Sequence, residues 1–336
     1  MFPKLKYLFR LLRFLSFRKV FNYLQLYLSY RFSNSKPFFK THLLPAFISV
    51  EPTNVCQLQC PECPVGLRHE NPKNAFQLNE TVFRKTIDEL KSTLMHVIFY
   101  FQGEPLLNKN VSSYINYAHQ NNIYTSTSTN AQALNTEFAK NLVLSGLDKL
   151  IISIDGSTQE AYEKYRVGGK LDKAIDGIKF VQDWKQKLKS ASPIIEIQFV
   201  VFKTNEHQLD DMRALAKELK VERLVFKTAQ LYDFENGHPL LTSLEKYARY
   251  KLAKDGKYQI KSSLPNRCLR LWTGAVINSK GDLVPCCFDK DSEHSFGNIS
   301  TESFAHTWHN KKASSFRTSI LENRKQFEIC RNCTSK

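Results

Sequence analysis

From residue 46 onward, short apolar runs alternate with longer segments whose apolar residues recur at helical spacing. The runs 46–50, 96–101, 123–127, 149–154, 194–201 and 223–227 read as strands. The stretches 80–93, 111–121, 137–145, 159–165, 171–188 and 208–219 read as helices. Strand and helix alternating six times predict parallel strands joined by right-handed crossovers, hence an α/β fold built as a partial (βα)6 barrel. Such folds collect ligands on the loops that follow the strands.

The rhythm stops near residue 230. Residues 231–262 read as a connector with a short helix near 244–252. Residues 263–336 read as a small α+β domain. In it, 274–278 and 283–286 form a hairpin around Ser279-Lys280-Gly281-Asp282, and short helices lie near 303–309 and 314–323. Ahead of the barrel, residues 1–45 form a helical arm. Leu5, Leu8, Phe9, Leu12 and Leu15 fall on one stripe of it, with Lys6, Arg10 and Arg13 to one side.

Charge sharpens the reading of that arm. The 336 residues hold 48 Lys and Arg against 32 Asp and Glu, a net +16, with 42% apolar residues. Disorder, collagen and a polytopic membrane protein are excluded. Residues 1–50 contain nine basic residues and no acid, whereas the remaining 286 carry only +7. The basicity therefore belongs to the arm and speaks for docking on a membrane surface or a partner, with no nucleic acid expected. No run reaches the roughly 18 apolar residues of a spanning helix, and no signal peptide is evident. A cytoplasmic location is expected, with the arm either packed on the main domain, its Lys and Arg solvated, or peripheral to the inner face of the membrane.

Eight cysteines carry the candidate chemistry. In a chain this long they are better read as reduced thiols for metal ligation or catalysis than as a disulfide framework. Cys56, Cys60 and Cys63 form a C-x3-C-x2-C group just behind the first strand. Three thiolates on one loop can hold three irons of a [4Fe–4S] cube and leave the fourth iron open. Zinc sites more often take two C-x2-C pairs and four closed ligands.

In these residues the chain resembles the radical S-adenosylmethionine (radical SAM) superfamily over about residues 46–230. Gln102-Gly103-Glu104-Pro105 follows the second strand and is similar to the family's G-G-E-P element. Thr129-Asn130-Ala131 is similar to its T-N-G, and Ser153-Ile154-Asp155-Gly156 to its S-I-D-G. Arg166 stands where relatives often carry a base near the cofactor carboxylate. Gln102 and Ala131 depart from the family's glycines. The resemblance implies an open [4Fe–4S] cluster at Cys56, Cys60 and Cys63, and S-adenosylmethionine at Gln102, Gly103, Glu104, Pro105, Asn130, Ser153, Asp155 and Arg166. It also implies cleavage of that cofactor to a 5′-deoxyadenosyl radical that abstracts hydrogen.

Cys268, Cys286, Cys330 and Cys333 run as C-x17-C, a gap of 43 residues, then C-x2-C. Four thiolates can close a zinc site or a second [4Fe–4S] cube, and spacing alone does not choose. The segment resembles the auxiliary-cluster domain of radical SAM enzymes, in its short twitch form related to SPASM, which implies a second, closed [4Fe–4S] cluster.

A closed cluster suits electron transfer, so a two-electron oxidation by a radical SAM oxidoreductase is expected. The absence of a peptide-recognition domain ahead of residue 46 favours dehydrogenation of a small molecule. The alternatives are oxidation or crosslinking of a ribosomally made peptide or protein side chain and, in another class, a non-catalytic iron–sulfur or zinc scaffold that binds a partner. A reductant such as flavodoxin or ferredoxin is implied. Cys287, Asp233, Glu235 and Asp289 are the candidates for a catalytic proton acceptor.

Overall fold

A computed structural model describes residues 12–34, 37–38, 42–68 and 75–334. The six strands appear as β1 Phe47–Val50, β2 His96–Ile98, β3 Tyr124–Thr129, β4 Lys149–Ser153, β5 Ile194–Val201 and β6 Arg223–Thr228. They pair in that order, all parallel. Between them run α3 Glu80–Leu90, α4 Val111–Gln120, α5 Thr136–Leu144, α6 Gln159–Tyr165, α7 Leu171–Lys187 and α8 Leu209–Glu218, after α1 Phe17–Phe32 and α2 Pro64–Arg68 in the chain. Local chemistry sets several of the starts. Asn79 accepts from the Thr81 and Val82 amides, Asn135 from Phe138 and Thr158 from Ala161. The chain is an α/β partial barrel.

Strand side chains alternate between two faces. Ile48, Val97, Phe99, Leu150, Ile197 and Phe199 join Phe83, Ile87, Ile115, Leu142, Ile178 and Met212 of the helices in one buried cluster. Each such side chain contributes roughly 1.5–3 kcal/mol by leaving water. Residues of the other parity, among them Ser49, Ile98 and Tyr100, line a cavity of about 380 Å³.

The rear segment extends the same sheet. β9 Gly274–Ile277 lies parallel to β1, and β10 Asp282–Val284 and β11 Gly297–Asn298 continue antiparallel, so the sheet holds nine strands. The turn between β9 and β10 puts Gly281 at φ +89°, where a side chain would be strained. α9 Arg270–Thr273 leads into β9, and behind β11 come α10 Phe304–His309, α11 Lys311–Asn323 and α12 Glu328–Arg331.

The connector differs from its expected helix. Residues 245–247 make a single 3-10 turn, and β7 Tyr250–Leu252 pairs antiparallel with β8 Tyr258–Ile260. Tyr250 decides this: its ring stacks on Phe234 at 4.1 Å, and its hydroxyl meets the Leu231 amide and Asn332 at 2.9 Å. These distant partners outweigh the local helical pattern.

Most of the expected stripe between Phe2 and Leu15 lies outside the described residues. The described part of the arm is α1, started by Ser16 accepting from the Lys19 amide. Arg267 ties its end down, donating to the carbonyls of Tyr30, Arg31 and Ser33. Among the described residues, no helix is long and apolar enough to cross a membrane.

Candidate functional site: two cysteine centres

The loop after β1 carries Cys56, Cys60 and Cys63. The Cys63 amide donates to the Cys60 carbonyl at 3.1 Å, and α2 starts directly behind it. Gly66 of α2 lies so close that a Cβ there would sit 2.4 Å from the Cys60 carbonyl oxygen, so only glycine lets helix and loop meet. Gly103 is held by the same argument, since its Cβ would come 2.1 Å from the Thr53 carbonyl oxygen. That approach lets the Glu104 amide donate to the Val55 carbonyl at 2.8 Å, joining the loops after β1 and β2.

Glu104 is buried at the junction of three loops. Oε1 accepts from Thr129 Oγ1 at 2.6 Å and from the Leu106 amide at 3.1 Å, and Oε2 accepts from the Asn130 amide at 2.8 Å. A carboxylate offers about four acceptor positions, so one remains on Oε2 for an ammonium group. Burial pushes its pKa up, against the hydrogen bonds that hold it down. A cation beside it would restore the charge. Pro105, buried, opens the turn that Glu104 caps.

Asn130 reaches the thiols. Its Nδ2 donates to Cys56 Sγ at 3.4 Å, while its Oδ1 accepts from Gln57 Nε2 at 3.2 Å. On the other side of the loop, Arg166 Nε donates to Asp155 Oδ2 at 2.6 Å, and Nη1 faces Cys60 Sγ at 3.9 Å. Asp155 is fully buried and its Oδ1 also takes the Val200 amide at 2.6 Å. Ser153, half-buried, ends β4. Gln102 points elsewhere: its Nε2 donates to the Lys290 carbonyl at 2.6 Å, bridging to the rear segment, and its buried Oε1 meets no partner.

Burial pushes the Cys56 thiol up to about 12 and raises Cys60, although Arg166 favours the Cys60 thiolate. Positive iron would supply the missing compensation. The three thiols on one loop, the open position on Glu104 and the Asp155–Arg166 pair together fit an open cluster with an amino-acid-bearing cofactor.

The rear cysteines converge from distant points. Cys268, Cys286, Cys330 and Cys333 line a small cavity of about 20 Å³ with Leu271, Phe288, Phe316, Ile320 and Ile329. Arg324, fully buried, donates through Nη2 to Cys333 Sγ at 3.3 Å. Burial raises Cys268 and Cys286, and Cys330 to about 11. Among the described residues no three His, Cys, Asp or Glu side chains close on a single ion. Four thiols gathered around one apolar space could each ligate one iron of a closed [4Fe–4S] cluster.

The proton-acceptor candidates separate. Asp233 and Glu235 are exposed on the connector. Asp289 is buried but closes its own loop, accepting from the amides of Glu293 and His294 at 3.0 and 3.1 Å. Only Cys287 faces the barrel cavity, where Arg270 Nη1 meets its Sγ at 3.2 Å beside Tyr100. Tyr100, Arg270 and Arg324 went unnoticed in the sequence, because no local spacing marks a residue whose partner lies far along the chain.

A partial parallel barrel with three thiols behind its first strand and four more in a closed rear cavity defines an iron–sulfur enzyme that uses S-adenosylmethionine. The chain belongs to the radical SAM superfamily, whose pattern matches residues 50–215, and the pattern of the SPASM iron–sulfur cluster-binding domain matches residues 268–334. It is similar to the PqqA peptide cyclase of Rhodopseudomonas palustris, with 26% identity over 74% of this chain and 68% of that one. It is likewise similar to the mycofactocin maturase MftC of Mycobacterium tuberculosis, with 26% identity over 81% and 72%. The fold matches Streptococcus suis SuiB bound to S-adenosylmethionine with a TM-score of 0.63, at 15% identity over 87% of this chain and 72% of that one. BtrN in complex with AdoMet and 2-DOIA matches with a TM-score of 0.53, at 19% identity over 87% and 94%.

Proposed function

We propose that this chain is a radical SAM peptide maturase that oxidises or crosslinks residues of a ribosomally made peptide. The observation that carries the reading is the likeness, across both the barrel and the rear segment, to relatives named as a peptide cyclase and a maturase. The sequence alone favoured a small molecule; these relatives shift the weight to a peptide.

When bound, the open cluster and S-adenosylmethionine supply a 5′-deoxyadenosyl radical that removes a substrate hydrogen. The chain does the rest. Cys56, Cys60 and Cys63 would hold the cluster, with Asn130 and Arg166 donating toward their sulfurs. Glu104 would take the cofactor's ammonium on its free acceptor position, and Arg166, oriented by Asp155, would meet its carboxylate. Tyr100, Arg270 and Cys287 line the cavity that also reaches Cys286 and would meet the substrate. Cys268, Cys286, Cys330 and Cys333 would close a second cluster without an open position, which suits acceptance of an electron from the oxidised substrate. A flavodoxin or ferredoxin would supply the one electron that the front cluster needs for cofactor cleavage and would take the one that the rear cluster receives from the substrate.

The test compares the peptides and small metabolites of cells expressing the chain with those of cells expressing its Cys56→Ala variant. The expected result is a peptide that loses two hydrogens only with the intact chain. A metabolite with that loss, and no altered peptide, would overturn the peptide reading in favour of small-molecule dehydrogenation.

A further inference from the structure

The arm helix α1 is built inside out. At 3.6 residues per turn, Phe17, Phe21, Leu24, Leu28 and Phe32 fall within an arc of roughly 80°. All five are exposed, by 49% to 85%, and the Phe17 and Phe21 rings stack at 5.8 Å. The opposite arc is buried and mostly polar: Lys19, Asn22, Leu26 and Ser29. Lys19 Nζ donates to the carbonyls of Phe14 and Asn122 at 3.3 and 2.5 Å, Asn22 Nδ2 to that of Leu44 at 2.7 Å, and Ser29 to that of Phe38. A helix that only packs on a barrel turns its apolar stripe inward.

The exposure is concentrated as well as inverted. Among the described residues, nine of the sixteen large apolar side chains left exposed lie between Leu12 and Phe38. Arg13, Arg18 and Arg31 stand exposed around them, and the first 50 residues contain no acid. An apolar stripe on an arm whose charged residues are all cations is complementary to an anionic lipid surface: the rings and leucines enter the acyl boundary while guanidinium groups stay at the phosphates. A second copy of the chain would instead set two such basic arms against each other. We propose that the outer face of α1 docks this enzyme on an anionic lipid surface, with the helix lying in its plane. Spanning is excluded for α1, which is neither long nor apolar enough.

Co-sedimentation of the full chain with phosphatidylcholine vesicles, with and without phosphatidylglycerol, tests this at low and high salt. Binding is expected only with phosphatidylglycerol and is expected to fall with salt. Combining Phe17→Ser, Phe21→Ser, Leu24→Ser and Leu28→Ser should weaken it about 1,000-fold or more. Combining Arg13→Ser, Arg18→Ser and Arg31→Ser should weaken it about 100-fold. Both variants should still form 5′-deoxyadenosine at the parental rate, which shows that they fold. Equal binding to both vesicle types, no binding to either, or a sedimenting dimer that the apolar variant splits would each overturn the proposal.

Discussion

Cys56, Cys60 and Cys63 lie within eight residues on one loop, whereas Cys268, Cys286, Cys330 and Cys333 are spread over 66 residues and brought together by a hairpin and four helices. The front thiols are surrounded by polar groups, with Asn130 and Arg166 aimed at them and an acceptor position free on Glu104. The rear thiols sit among Leu271, Phe316, Ile320 and Ile329, with Arg270 and Arg324 as nearby cations. A loop with polar walls leaves room for a cofactor that must come and go. An apolar cavity closed by four thiols keeps one group permanently and shields it. The same ligand atom thus serves two ends, set by what surrounds it.

The largest expected effect separates the two centres outright. Replacing Cys56, Cys60 and Cys63 together by Ala should abolish 5′-deoxyadenosine formation and leave about four of about eight irons per chain, by anaerobic reconstitution and iron assay. Cys330→Ala should do the converse, keeping nucleoside formation while losing the rear irons and substrate oxidation. Loss of all iron in either variant would show that the centres assemble as one unit, which the bridge from Gln102 to Lys290 and the Ser279 amide on Glu51 make physically conceivable.

Glu104→Gln probes the front centre more gently. It keeps the shape and most hydrogen bonds but removes the charge that faces the cofactor's ammonium. Loss of a charged hydrogen bond of about 1.5–3 kcal/mol predicts a KM for S-adenosylmethionine raised roughly 10- to 100-fold, with the rear irons untouched. An unchanged KM would remove Glu104 from the cofactor site.

The smallest effect is expected at the connector between the centres. Asp233→Asn and Glu235→Gln alter exposed side chains, so each should change turnover by less than about twofold. A larger fall, measured as substrate oxidation per nucleoside formed, would return one of them to the list of proton acceptors in place of Cys287.

The six strands and their crossover helices were legible in the sequence because each is a local pattern: apolar runs at β spacing, amphipathic stretches, and caps such as Asn135 and Thr158. The front motif was legible for the same reason. The misread stretch at 244–252 shows the limit. Its local pattern suits a helix, yet Tyr250 is drawn into a strand by Leu231, Phe234 and Asn332. Nor did spacing show that β9 would join β1, that Arg270 would meet Cys287, or that Arg324 would stand beside Cys333.

By itself the sequence determined the barrel's rhythm, the presence of two cysteine groups and the basic character of the arm. Each depends on residues close together in the chain, whose geometry follows from backbone periodicity and side-chain type. Only the tertiary structure decided which face of α1 looks outward, which of the candidate residues meet the cavity, and what environment each set of thiols has. Those properties arise from contacts between residues far apart in the chain, as between Arg267 and Tyr30, 237 positions apart. Burial and desolvation at such contacts depend on how the whole chain packs, and no local pattern encodes them.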